Sequence, residues 1–128
     1  MNRTTINDLL AAARARLQRV RPADALDAVR RGAVLVDIRS ESQRADDGVV
    51  PGASFVPRNV LEWRLDPASE HRDRELARRD RQVILMCTEG HQSSLAAATI
   101  RRLGVDATDM IGGFRAWRGA GLPVEQDR

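Results

Sequence analysis

Residues 82–94 read Gln82-Val83-Ile84-Leu85-Met86-Cys87-Thr88-Glu89-Gly90-His91-Gln92-Ser93-Ser94. The apolar run shows no polar alternation, so Gln82–Met86 reads as a strand buried on both faces, the pattern of a parallel sheet. It leads straight into Cys87. Beyond the polar loop, Ser93–Leu103 reads as a helix with Ala96, Ile100 and Leu103 on one face and Gly104 as its terminator. Strand, short loop and helix in this order put Cys87 at the carboxyl end of a parallel strand, where open α/β sheets bind their ligands.

Working outward, Ala33–Ile38 is a second continuous apolar strand, carrying Asp37 at its end. Pro51-Gly52 marks a turn before a short strand at Ala53–Val56. Asp106–Ile111 reads as the last strand, followed by Gly112-Gly113 and a helix over Phe114–Gly119. On the N-terminal side, residues 5–18 read as a helix, with Thr5 or Asn7 as cap and Leu10, Ala13, Leu17 and Val20 at helical spacing. Arg19–Arg21 is a short strand or turn. A second helix starts at Pro22 and stops before Gly32, with Asp24 and Asp27 early and Arg30 and Arg31 late, as the helix dipole prefers. The charged stretch 58–81 predicts a short helix, an exposed loop and another short helix. Trp63, Phe114 and Trp117 read as packing anchors. Alternating strands and helices predict an α/β fold built on a mostly parallel sheet.

The chain has 128 residues, about one ordinary domain. Its 42% hydrophobic and 30% charged content suits a globular protein. No apolar run approaches the roughly 20 residues of a membrane span, and no signal-peptide pattern opens the chain; the expected location is the cytoplasm, with no membrane partner. The pI near 10.7 overstates basicity. Net charge is only +3, and all 21 basic residues are Arg in a chain without Tyr, so little titrates between neutrality and the Arg range. Acidic residues are interspersed with the arginines, and a mixed, solvated surface is expected rather than a nucleic-acid footprint. A single Cys excludes an internal disulfide and fits a reducing compartment. His71 and His91 show no metal-ligand spacing with Cys87, so neither a metal nor another cofactor is expected.

The segment Cys87 to Ser94 joins a buried strand to a helix N-terminus. Successive backbone N–H groups in such a loop can converge into an anion-binding nest, and the helix end adds positive potential. Gly90 permits a positive φ. A thiol held there is favoured as thiolate, the form that acts as nucleophile. The same position also fits an inert, buried cysteine.

Three motifs, in order, resemble the rhodanese family over nearly all of residues 19–124. Val36-Asp37-Ile38-Arg39 with Gly48-Val49-Val50-Pro51-Gly52-Ala53 is similar to the family's Asp-x-Arg strand and Gly-His-Ile-Pro-Gly-Ala turn. The cysteine loop has Gly90 three residues after Cys87. Gly112-Gly113-Phe114-Arg115-Ala116-Trp117 with Gly121-Leu122-Pro123-Val124 resembles the family's C-terminal signature. The resemblance implies a five-stranded, mostly parallel sheet flanked by helices on both faces, as a single domain over residues 19–128 with an N-terminal helical extension at 1–18. It implies a sulfurtransferase without cofactor or metal. Cys87 is then the catalytic nucleophile that becomes a persulfide. Thr88, Glu89, Gly90, His91, Gln92 and Ser93 form the substrate-binding loop, and Asp37, Arg39 and Arg58 support it. The implied partners are a small sulfur donor (thiosulfate or a thiol persulfide) and a thiol, cyanide-like or protein acceptor.

Two departures matter. The family often has Arg five residues after the cysteine, where this chain has Gln92, and the loop carries Glu89 and no cation. Thiosulfate, a dianion, is therefore expected to be a poorer donor than a thiol persulfide, unless Arg39, Arg44 or Arg58 supplies a charge. Cell-cycle phosphatases of the same fold place Arg six residues after the cysteine; here that position is Ser93, which argues against phosphoryl transfer. From another functional class, a weakly catalytic binding or redox-sensing module built on the same thiol is the alternative.

Overall fold

The computed structural model describes residues 2–127; both chain ends, and with them the outermost limits of the segments 1–18 and 19–128, lie outside the described residues. Four strands, β1 (Val34–Asp37), β2 (Ser54–Phe55), β3 (Val83–Met86) and β4 (Ala107–Asp109), form one sheet in the order β2-β1-β3-β4. Every pairing is parallel, with Val36 opposite Ser54 and Leu85, and Leu85 opposite Asp109. Parallel strands need crossover connections, and these are helices.

The fully buried β1 and β3 split their side chains between two cores. Val34, Val36, Val83 and Leu85 join Leu61, Leu65, Ala96, Ala97 and Ile100 on one face of the sheet. Leu35, Ile84 and Met86 join Ala25, Phe114 and Trp117 on the other. The first face is covered by α4 (Leu61–Leu65) and α5 (Gln92–Arg101), the second by α2 (Pro22–Arg30) and α6 (Gly113–Gly119). The helix α1 (Ile6–Arg14), capped by a reciprocal Thr5–Asp8 box, packs outside α5. The small side chains Ala96 and Ala97 let α5 lie close to the sheet.

Among the described residues the sheet has four strands rather than five. What remains at the β4 edge is a single parallel bridge, Val20 to Met110, with the Val20 N–H donating to Asp109 O (3.1 Å) and the Ile111 N–H to Val20 O (2.8 Å). Pro22, which has no N–H, opens α2 two residues later, so the edge cannot lengthen. The first helix stops at Arg14, short of residue 18, because the chain must turn there to reach this edge; Gln18 O accepts from Thr108 Oγ1 at 2.9 Å.

In the charged stretch, a 3₁₀ turn (Arg58–Val60) runs into α4, but the second short helix does not form. Asp73 Oδ1 instead accepts from the amides of Glu75 and Leu76, and only Leu76 is buried, too narrow an apolar stripe for a helix. Trp63 is 57% exposed and is no packing anchor, whereas Phe114 and Trp117 are buried. An unforeseen helix, α3 (Glu41–Asp47), follows β1. Its signal lies in the sequence as Ser40-x-x-Gln43, a capping box with both bonds made.

Candidate active site

The carboxyl edge of the sheet gathers the chemistry. Asp37 ends β1, Cys87 follows β3 and Asp109 ends β4. Cys87 is 6% exposed and lies in the wall of a cavity of about 420 Å³, with Arg39, Gln43, Thr88, Glu89, His91, Gln92 and Arg115 around it. A larger surface cleft between α1 and α5, about 800 Å³, is lined by no cysteine, histidine or carboxylate.

The loop wraps the sulfur with amides. Gly90 N–H lies 3.2 Å and Ser93 N–H 3.4 Å from Cys87 Sγ. Among the described residues, no protein acceptor takes the N–H groups of Thr88, Glu89, His91 or Gln92. These unpaired donors, at the start of a ten-residue helix, are the groups an anion in the cavity would meet. Gly90 has φ +85, and a Cβ there would fall 2.7 Å from the Gly112 nitrogen.

Beneath the loop sits the Gly112-Gly113 turn. The amides of Phe114 and Arg115 donate to the carbonyls of Cys87 (2.8 Å) and Thr88 (3.1 Å), tying these oxygens down away from the sulfur. Gly113 permits this approach, because a Cβ on it would lie 2.7 Å from the Thr88 carbonyl carbon and oxygen. The double glycine is thus a close-packing device rather than a phosphate loop.

Behind the sulfur is a buried polar network. Cys87 Sγ lies 3.3 Å from Ser93 Oγ, and Ser93 Oγ–H donates to Asp109 Oδ2 at 2.7 Å. The same oxygen accepts from Ser94 Oγ (2.9 Å), and Arg19 grips the carboxylate with two donors (2.9 and 3.2 Å). Four donors offset the desolvation of a carboxylate that is fully buried.

The supporting residues divide. Arg39 is buried, paired with Asp37 through Nε (3.0 Å) and Nη2 (2.8 Å), and donates to Gly48 O (2.8 Å). Its guanidinium stacks 4.1 Å over the Phe114 ring, and its Nη1 is buried with no partner. Arg44 joins Asp37 at 3.2 Å and stacks on Phe55. Arg58, in the 3₁₀ turn, pairs with Glu62 at the start of α4 at 2.6 Å and is not among the residues around the cavity. His91 is exposed at the cavity, and His71 is a surface residue. Gln43 and Arg115 reach the cavity without having been expected there. Arg115 is ion-paired with Glu89 at the mouth.

A parallel sheet that delivers a cysteine into an amide-lined loop ahead of a helix defines the class of protein. Residues 21–120 match the rhodanese-like domain, and the chain belongs to that family. No curated protein matches it. Among solved structures, a protein of unknown function from Rhodopseudomonas palustris CGA009, described as a possible tyrosine phosphatase, is 32% identical, with 98% of this chain and 99% of that one covered and a TM-score of 0.87. A thiosulfate sulfurtransferase from Pseudomonas aeruginosa is 26% identical over 87% of this chain, which spans 20% of that enzyme, with a TM-score of 0.69. A rhodanese-related protein from Thermoplasma volcanium shares the fold at 20% identity, covering 85% and 98% of the two chains, with a TM-score of 0.68. No described helix is long and apolar enough to cross a membrane.

Proposed function

We propose that the chain is a sulfurtransferase that carries sulfane sulfur on Cys87. One observation supports this above others: Sγ lies at an open cavity with two amides on it and four more without protein acceptors around it. In this reading the Cys87 thiol first loses its proton to solvent. The thiolate attacks the terminal sulfur of a donor, the donor's S–S bond breaks, and the electron pair leaves with a thiolate or sulfite. Cys87 is then a persulfide, and the loop amides stabilise its outer, anionic sulfur as an oxyanion hole stabilises oxygen. An acceptor thiolate or cyanide attacks that sulfur and regenerates the Cys87 thiolate.

A thiol persulfide suits this cavity better than thiosulfate. Gln92 brings no charge, Arg39 is held in a buried pair with Asp37, and Arg115 is engaged by Glu89. The same absence of an unengaged cation disfavours phosphoryl transfer, since Ser93 occupies the position where a phosphatase of this fold carries Arg and is hydrogen-bonded to Asp109 instead. A small donor, a thiol or protein acceptor, and a reducing cytoplasm complete the proposal.

The test is intact mass after incubation with thiosulfate, mercaptopyruvate and a low-molecular-weight persulfide. One added sulfur is expected, on Cys87 alone, removable by cyanide or reductant and absent from Cys87→Ser. Protein that stays unmodified with every donor, yet gains oxygen after peroxide, would replace this reading with the redox-sensing module that Glu89 and Gln92 favour.

A further inference from the structure

We propose that Arg14 and Arg19 are positioning residues for the sulfur cradle of Cys87. Both lie outside the segment matched by the rhodanese-like domain. The inference rests on the sulfur-transfer reading and assigns a role in it to the N-terminal segment.

The two guanidinium groups converge on a single loop oxygen. Arg14 Nη2 and Arg19 Nη2 each donate to Gly90 O at 2.9 Å. No other backbone carbonyl among the described residues takes two arginine donors. A carbonyl has two lone pairs, so two charged donors match both and hold this one firmly. The peptide between Gly90 and His91 is planar and trans. Turning its oxygen toward Arg14 and Arg19 therefore turns the His91 N–H the opposite way, and His91 borders the cavity. Without the clamp, nothing in the loop's own sequence dictates that orientation, because Gly90 has no side chain to resist a peptide flip. A flipped peptide would present an oxygen lone pair to an anionic persulfide.

The clamp also connects to the network behind the sulfur. Arg14 Nε donates to Ser94 Oγ (3.1 Å), and Arg19 bridges Gly90 O to Asp109, which in turn holds Ser93 beside Sγ. Arg14 comes from the last turn of α1, and Arg19 from the link between α1 and α2. The packing of α1 on α5 brings them to the loop, so the N-terminal helix acts as an arm that reaches the site from behind.

The experiment compares wild type with Arg14→Ala, Arg14→Lys and Arg19→Lys. Arg14 is half-buried and its hydrogen bonds run to Gly90 and Ser94, and the thermal midpoint reads whether Arg14→Ala keeps the fold; Arg19→Lys keeps a charge beside buried Asp109. The readouts are sulfur loading from glutathione persulfide, hydrogen exchange at the Gly90 and Ser93 amides, and thermal midpoint. Arg14→Ala should lower kcat about tenfold at unchanged KM and midpoint, with faster exchange at both amides, and Arg14→Lys should recover part of the rate. Arg19→Lys should fall likewise, since an ammonium cannot span Gly90 O and the carboxylate together. Unchanged kcat and exchange in Arg14→Ala overturns the clamp and leaves the persulfide reading intact, as does a loss that merely follows a lower midpoint. Wild type that never loads sulfur overturns the persulfide reading. The clamp is then decided by exchange alone: faster loop exchange in Arg14→Ala upholds it, and equal exchange overturns it.

Discussion

Ser93 donates its one hydroxyl proton to Asp109 over 2.7 Å, directly behind the cysteine, and so turns an oxygen lone pair toward Sγ. The bond belongs to a fully buried carboxylate, so its loss is felt. Ser93→Ala should reduce stability by about 1–3 kcal/mol, the range for a buried group that loses a partner. Urea denaturation measures this, and a lowered midpoint at constant slope is the expected result. An unchanged midpoint would mean that Asp109 is satisfied by Arg19 and Ser94 alone.

Two glycines with positive φ separate backbone strain from collision. Gly52 has φ +80 and open space where a Cβ would stand. Gly113 has φ +61, and its Cβ would strike the backbone of Thr88. Gly52→Ala should cost about 1–2 kcal/mol from strain. Gly113→Ala should cost roughly twice that, because overpacking adds about 1–3 kcal/mol. Only Gly113→Ala should also slow sulfur loading, since the clash falls on the cysteine loop. Equal penalties in the two variants would contradict the close-packing role.

The Arg115–Glu89 pair guards the mouth of the cavity, with side chains 70% and 47% exposed. Glu89→Gln should change stability by less than about 1 kcal/mol, as exposed pairs do. It should raise thiosulfate turnover relative to persulfide turnover, because it releases a cation that a dianion needs more. Gln92→Arg should act in the same direction. A donor panel with steady-state rates reads the ratio, and an unaltered preference in both variants would show that charge at the mouth does not set it.

Acid should loosen α1 before the rest. Hydrogen bonds from the Thr5 backbone and then the Thr5 side chain hold Asp8 below the usual carboxylate range. A lowered folded value means that the carboxylate stabilises the helix above the ordinary value and stops doing so as pH falls through the lowered one. Amide exchange at Thr5, Asp8 and Leu9, the bonded amides of the cap, should therefore rise below about pH 4 while the strands stay protected. Asp8→Ala, which removes the carboxylate, should show fast exchange already at neutral pH and little further change in acid.

Much of the fold is legible in single stretches. The runs at 34–37 and 83–86 are apolar at every position up to Asp37, and only strands covered on both faces use such runs. Pro22 and Gly104 mark helix ends through their own backbone chemistry. The fifth strand and the second charged-segment helix were not legible, because each depends on what the rest of the molecule leaves available. A strand needs a length of partner edge, and Val20 has one residue of it. Local propensity in 72–81 had no apolar face to bury, so turns centred on Asp73 took its place.

The site divides in the same way. Cys87, its loop and the following helix are contiguous, so sequence alone determined the nucleophile, the amide-rich turn and the missing loop cation at Gln92. Arg14, Arg19, Asp109 and Arg115 lie 73, 68, 22 and 28 positions from Cys87. Nothing in a stretch of sequence says that two arginines near the N-terminus will meet on one carbonyl, or that Arg58 will turn to Glu62 instead of the cavity. Local backbone geometry follows from neighbours along the chain. Which charges face one another follows from how α1 packs on α5 and where β4 ends, and those are decided only when both sheet faces bury their apolar side chains together.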